Sequence, residues 1–267
     1  MSLTINTNIE ALDAGRNLNN TQNMLATSME RLSSGLKINS AADDVAGYAI
    51  NQQLQSQING LEQAEQNSQD AVALAQTAQG SLNTVEQMLQ RIRELGVQYE
   101  NGTNTTANKE SIEEETKQLY EEIKRDGETA SFNGIKLLKA EEKIVFQVGA
   151  DGGAKEQIEV STFALGTSVK EVKLSEAKSI EKIEAQIEKV AKAAGEFGSV
   201  QDRLQYTQAN IATTVQNLTA AQSSIVDVNM ASEVSNMTKD QILQQAGVAV
   251  LTQANSLPQA VLKLLGG

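Results

Sequence analysis

The chain of 267 residues contains no cysteine, no histidine and no tryptophan, and only one proline. Without cysteine there is no disulfide and no thiolate metal site, so the fold is indifferent to the redox state of its surroundings. Without histidine, a Ser-His-Asp triad, a Cys-His pair, an H-E-x-x-H zinc site and imidazole acid–base chemistry are all excluded. No G-x-x-x-x-G-K-[ST] phosphate loop and no strand-linked G-x-G-x-x-G occurs. An enzyme would have to rely on Ser, Lys or carboxylate chemistry in a concave pocket, and the apolar residues are arranged otherwise. A net charge of −12 without basic clusters makes the chain a poor partner for nucleic acid or anionic lipid. No run of 18 apolar residues exists, so no membrane span is expected. The opening from Met1 to Glu10 has neither a basic n-region nor an apolar h-region, so no cleaved secretory signal peptide is expected there, and any export would follow a route that removes no such signal.

What is present reads as helix. From Ile58 the small or apolar positions Leu61, Ala64, Ser68, Val72, Ala75, Ala78, Leu82, Val85, Leu89 and Ile92 recur at steps of three and four. That spacing belongs to a helix packed along a long seam. Ser40 and Asp43 offer a start and Asn101 to Asn108 a stop, so a helix over about 45–99 is expected, roughly 80 Å long at 1.5 Å per residue. A matching seam runs through Ile180, Ile183, Ile187, Val190, Ala194, Phe197, Leu204, Ile211, Val215, Leu218, Ile225 and Val228, with Ser175 and Glu176 as its expected cap. A shorter helix over about 109–125 completes the bundle. Between 132 and 174 the pattern changes: 143–148 and 157–163 are β-branched and aromatic, Asp151-Gly152-Gly153 is a turn signal, and 169–174 is a candidate third strand.

The two ends differ from the middle. Residues 1–40 carry three acids and three bases and residues 235–267 one acid and two bases, whereas 41–234 hold 30 acids against 17 bases. Neither end contains an aromatic residue, yet each carries a helical apolar stripe: Ile5, Ile9, Leu12, Leu25, Met29, Leu32 and Leu36, then Leu243, Ala246, Val250, Ala254, Leu257, Val261 and Leu264. Single amphipathic helices of this size are marginal alone in water. Two readings follow: both arms pack on the central bundle, or they find partners in neighbouring copies, where neutral faces avoid repeated like-charge repulsion. Pro258 is expected to break or kink the last helix if it lies in its interior, at a cost of about 3 kcal/mol.

The stretch from Ser28 through Glu30-Arg31-Leu32-Ser33-Ser34-Gly35-Leu36-Lys37-Ile38-Asn39 to Asp43-Asp44, followed by Val45-Ala46-Gly47, resembles the N-terminal signature of bacterial flagellins. Ile5 to Asn8, Leu89 to Leu95 and Ser131 to Gly134 are similar as well, and Ala231 to Ala246 with Leu251 to Asn255 resembles the C-terminal signature. The resemblance implies a mainly α fold. It comprises a long antiparallel helical rod over 41–234 with a β-hairpin region near 132–174, and terminal helices, 1–40 and 235–267, pairing as a coiled-coil-like inner domain. Only about 50 residues separate Ser131 from Ile180, so the resemblance implies a short form lacking outer domains.

By the same resemblance the chain is an extracellular structural subunit. It polymerises through the stripes named above into the hollow flagellar filament, is exported by the flagellar type III route, and needs no cofactor or metal. Its implied partners are itself, an export chaperone, the filament cap, the hook–filament junction proteins and Toll-like receptor 5, the last through Arg91, Leu95 and Glu115. A hook–filament junction protein, or another helical protein of type III export, is the alternative structural role. Read on their own residues, Asp43 and Asp44 are expected to cap a helix rather than to bind metal, and Glu113-Glu114-Glu115 and Glu121-Glu122 to be solvated faces. Asn101-Gly102-Thr103 and Asn104-Thr105-Thr106 match the N-glycosylation pattern, and hydroxyls over 161–175 are candidate O-glycosylation positions.

Overall fold

A computed structural model describes residues 7–265, with side chains through Ser256. Six α-helices and four short strands follow in the order α1 (Ile9–Ser34), α2 (Val45–Tyr99), α3 (Thr106–Thr129), β1 (Ser131–Phe132), β2 (Ile135–Lys136), β3 (Lys143–Gln147), β4 (Gln157–Ser161), α4 (Leu165–Ser168), α5 (Ser179–Val226) and α6 (Met230–Leu265), with a 3₁₀ turn (Ala154–Glu156) between β3 and β4. Residues 1–55 with 218–267 form one compact unit and residues 56–217 the other.

Unit 56–217 contains the hydrophobic core. Ala64, Ala71, Ala75, Ala78, Leu82, Val85, Leu89 and Ile92 of α2 are buried, as are Ile183, Val190, Ala194, Phe197 and Leu204 of α5. The two helices run antiparallel: Arg93 pairs with Glu184 at 2.8 Å, while Gln79 lies beside Gly198. The expected Val72 is only half-buried, and Ala71 and Leu74 fill the core instead. Helix α3 is longer than expected at both ends; at its start the Thr105 hydroxyl caps it by accepting from the Asn108 N–H at 3.3 Å. Its inner face, Ile112, Thr116, Tyr120 and Ile123, closes the core.

The hairpin region forms with one correction. Strands β3 and β4 pair antiparallel, with Val145 opposite Glu159. The third strand expected over 169–174 is absent: Val169, Val172 and Leu174 are buried as anchors in the core, reached by the single helical turn of α4, and pair with no strand. An additional two-residue hairpin joins β1 to β2 through Asn133 (φ 46°) and Gly134 (φ 83°), the pair of left-handed residues that a tight twisted turn requires.

Helix boundaries follow side-chain chemistry. The Asp44 carboxylate accepts from the N–H groups of Ala46 and Gly47, both at 3.0 Å, and so caps α2. Asp43 holds the preceding turn by accepting from Asn39 N–H, Ser40 N–H and the Ser40 hydroxyl. Those bonds, with the Ser40 N–H foremost, hold the Asp43 carboxyl below its ordinary range. The expected cap of α5 at Ser175 is corrected: the helix begins at Ser179, after Lys178 in a left-handed conformation (φ 63°), and the Ser175 N–H bonds Glu113 at 3.2 Å.

Candidate assembly surface

In unit 1–55 with 218–267, α1 and α6 lie against each other, antiparallel. Asn8 meets Ala254 near one end, Leu18 meets Gly247 in the middle, and Leu36 bridges Asp227 at the other end. A run of buried or half-buried positions along α1 is Ala11, Ala14, Leu18, Thr21, Leu25, Ser28 and Leu32, flanked by half-buried Gly15, Thr27 and Arg31; those of α6 through Ser256 are Glu233, Met237, Asp240, Gln244, Gly247, Leu251 and Ala254. Both series step alternately by three and four residues, the spacing of a heptad seam. Its content is poor in apolar bulk. Small and polar residues alternate with a few leucines, the carboxylates Glu233 and Asp240 are buried, and the Arg31 Nε is buried without a partner among the described residues. Buried polar groups left short of partners cost stability, so this seam holds two helices together weakly.

The larger apolar side chains point elsewhere. Ile9 and Leu12 of α1 are 63% and 61% exposed, and Ile242 and Val250 of α6 are 61% and 58% exposed. Met24, Met29, Val234, Leu243 and Val248 are exposed as well. Of the expected stripe residues, Leu25 and Leu32 therefore lie in the seam within one molecule, whereas Ile9, Leu12, Met29, Leu243, Ala246 and Val250 face outward. Leu36 is half-buried beyond the C-terminal cap of α1. There Gly35 (φ 75°) turns the chain, and Lys37 N–H and Val228 N–H bond Val226 O and Gly35 O at 2.6 and 3.0 Å. Ile5 lies outside the described residues, as do the side chains of Leu257, Val261 and Leu264.

Helix α6 is continuous through Pro258, so the expected break does not occur. Proline has no N–H to give to the carbonyl four residues earlier, Ala254. That carbonyl instead accepts from the Asn8 side chain at 2.8 Å, while the Asn8 oxygen caps α1 by accepting from Ala11 N–H at 3.1 Å. Nothing in a single-sequence periodicity identifies Asn8 as the link; its signal was only its place one residue before an apolar stripe.

Arg91 is exposed on α2, donating from Nη2 to Glu115 at 2.9 Å and from Nη1 to Glu94 at 3.3 Å. The hydrogen bond to Glu115, then that to Glu94, raises the guanidinium further above its ordinary value. Leu95 does not share that surface: it is 1% exposed, inside the core, because it continues the inward stripe of α2. Asn101 folds onto its own loop, accepting from Thr103 N–H at 3.2 Å, and Asn104 donates to Gln98 O at 2.5 Å. Among the described residues no group of acids is placed to hold a metal, and no helix is long and apolar enough to cross a membrane.

Residues 5–143 match the family model of the bacterial flagellin N-terminal helical region, and residues 180–265 that of the C-terminal helical region. The flagellin of Halalkalibacterium halodurans is 41% identical, the alignment covering 98% of this chain and all of that protein. The flagellin of Bacillus subtilis is 37% identical over the same shares. Among solved structures, the crystal structure of Bacillus cereus flagellin aligns with a TM-score of 0.49 and 25% identity, covering 59% of this chain and 94% of that one.

Proposed function

This chain belongs to the bacterial flagellins, and on that premise we propose that it polymerises through the outward faces of α1 and α6. The family is structural rather than enzymatic, and the chain is a structural subunit of the flagellar filament. The observation that carries the assembly reading is a distribution. Sixteen large apolar side chains are exposed among the described residues, and twelve of them belong to the terminal unit, which itself buries only Ala14, Ile38, Val226 and Ala254 among apolar residues. A monomer that leaves its bulky apolar residues in water while pairing its helices through small ones is suited to neighbours of its own kind.

In this reading Leu25 and Leu32 hold α1 to α6 within each copy. Ile9, Leu12, Met29, Leu243, Ala246 and Val250 meet other copies; Ile5, Leu36, Leu257, Val261 and Leu264 are assigned to the same assembly role on the family resemblance. The arms 1–40 and 235–267 carry assembly, and 41–234 serve as the rod. The same reading sends the chain out through the flagellar type III apparatus, escorted by an export chaperone and added beneath the filament cap beyond the junction proteins. Arg91 and Glu115 form the charged pair offered to Toll-like receptor 5, with Leu95 fixing the helix beneath them.

Electron microscopy of the purified chain after seeding, beside a version lacking 1–40 and 235–267, tests the assembly reading. Long uniform filaments from the full chain and none from the truncation are expected; filaments from both would remove the assembly role of the arms. For the receptor, Arg91→Ala is expected to reduce signalling in a reporter assay, and an unchanged response would discard that contact.

A further inference from the structure

Unit 56–217 exposes four large apolar side chains among the described residues, Val97, Ile135, Val145 and Tyr206, and two of these sit in chemically opposite surroundings. Tyr206 on α5 is 80% exposed at the rim of a groove of about 470 Å³ with Leu61, Ile158 and Ile211 on its apolar lining. Lys155 and Arg203 stand on the same rim, and neither has an ion-pair partner among the described residues. The one carboxylate lining the groove, Glu156, is engaged by the Asp151 N–H at 2.6 Å. Val97, 54% exposed, lies near the C-terminal end of α2, with Glu94 three residues before it on the same helical face, where it also accepts from Arg91 at 3.3 Å, and Glu100 three residues after it, just past the helix end.

We propose that Val97 of one copy enters the Tyr206 groove of a second copy of this chain, with Glu94 and Glu100 set against Lys155 and Arg203. No molecule makes this contact with itself: Leu61, in the groove, and Val97 are 36 positions apart on α2, about 54 Å at 1.5 Å per residue. Two different, complementary patches give a heterologous contact, which repeats into an open chain instead of closing a symmetric dimer. The charges decide where copies meet. Molecules of net charge −12 repel over most of their surface, and approach is favoured where unpaired cations face carboxylates. Exposed pairs of this kind supply register and association rate more than affinity, so the apolar insertion supplies the hold.

The proposal rests on the filament reading, and the cysteine-free chain allows the two to be tested separately. The variant Val97→Cys with Tyr206→Cys is polymerised and treated with a short bis-maleimide linker, beside each single variant and the unmodified chain. A ladder of covalent oligomers from the double variant alone supports the contact. Filaments without a ladder overturn it and leave the filament reading standing. No filaments from the unmodified chain overturn the filament reading and the contact with it. If the double-cysteine variant fails to assemble, charge reversal decides. Lys155→Glu with Arg203→Glu, and separately Glu94→Lys with Glu100→Lys, are each expected to slow elongation about tenfold, while all four changes together restore it. Failure of the combined variant to recover overturns the pairing.

Discussion

Asn8 joins two helices with one side chain, and its two bonds have separable causes. Its oxygen does what an N-cap does, while its amide nitrogen occupies a carbonyl that Pro258 leaves without an intrahelical donor. Asn8→Ala is expected to destabilise the terminal unit by about 1 kcal/mol through the lost cap, with a further loss from the freed carbonyl. Native-state hydrogen exchange at the first amides of α1 reads this directly, and unchanged protection would show that the cap carries no weight. Tyr120 is the residue through which pH acts on the core. Burial pushes its phenol up to about 12, and its hydroxyl donates to Gln186 at 3.3 Å. Tyrosine in the unfolded chain ionises near 10, so the folded state holds the proton longer and loses stability as pH rises from about 10, levelling above 12. The loss is roughly 2–3 kcal/mol. Denaturant titrations at pH 8 to 12 are expected to show this slope in the native chain and a flatter one in Tyr120→Phe; equal slopes would assign the alkaline loss to other groups.

Elements in this chain are set by periodicity wherever one face is plainly apolar. Helix α2 matches its expected span because an Ala-rich stripe runs unbroken between an aspartate cap and an Asn-Gly stop. Periodicity failed at 169–174, where strand-like composition mixes buried Val169, Val172 and Leu174 with exposed Lys170, Glu171 and Lys173: the apolar three anchor a loop in the core and pair with no strand. It also could not see that the stripes of the terminal helices contain two faces, a heptad seam of small residues and an outward face of large ones. Pro258 is the element-scale test. An interior proline costs a helix about 3 kcal/mol, so Pro258→Ala is expected to raise the helicity and thermal persistence of α6. The backbone N–H gained by that substitution also competes for the Ala254 carbonyl, so the cost of Asn8→Ala should be smaller in the Pro258→Ala background. A double-mutant cycle with no coupling would break the connection argued between the two sites.

At the scale of the whole molecule the two units differ in what stabilises them. Residues 56–217 enclose a continuous core from Leu74 to Phe197, whereas the terminal unit relies on a seam with buried carboxylates and few large apolar contacts. Stability is therefore not uniform: the terminal unit opens at lower free energy than the core of the other. Heating the monomer is expected to give a broad early loss of helical circular dichroism, absent from the version lacking 1–40 and 235–267, followed by a cooperative transition shared by both. A single transition common to the two proteins would show that the units melt together. In the filament the early phase should vanish, since neighbours cover the faces that the monomer exposes.

The sequence by itself determined the helical class, the lengths of the two long seams, the paired hairpin, and the family signatures at both ends. It did so because apolar spacing and capping residues act locally and are readable one turn at a time. It excluded thiol and imidazole chemistry by absence alone. Only the tertiary structure decided which stripe residues are shared within a molecule and which are left for another, since that depends on which face of α6 meets α1. It alone removed Leu95 from the surface that Arg91 occupies, assigned Asn8 to the carbonyl freed by Pro258, and brought Lys155 and Arg203 to one groove. Such placements join residues far apart in the chain, and their spacing follows no period.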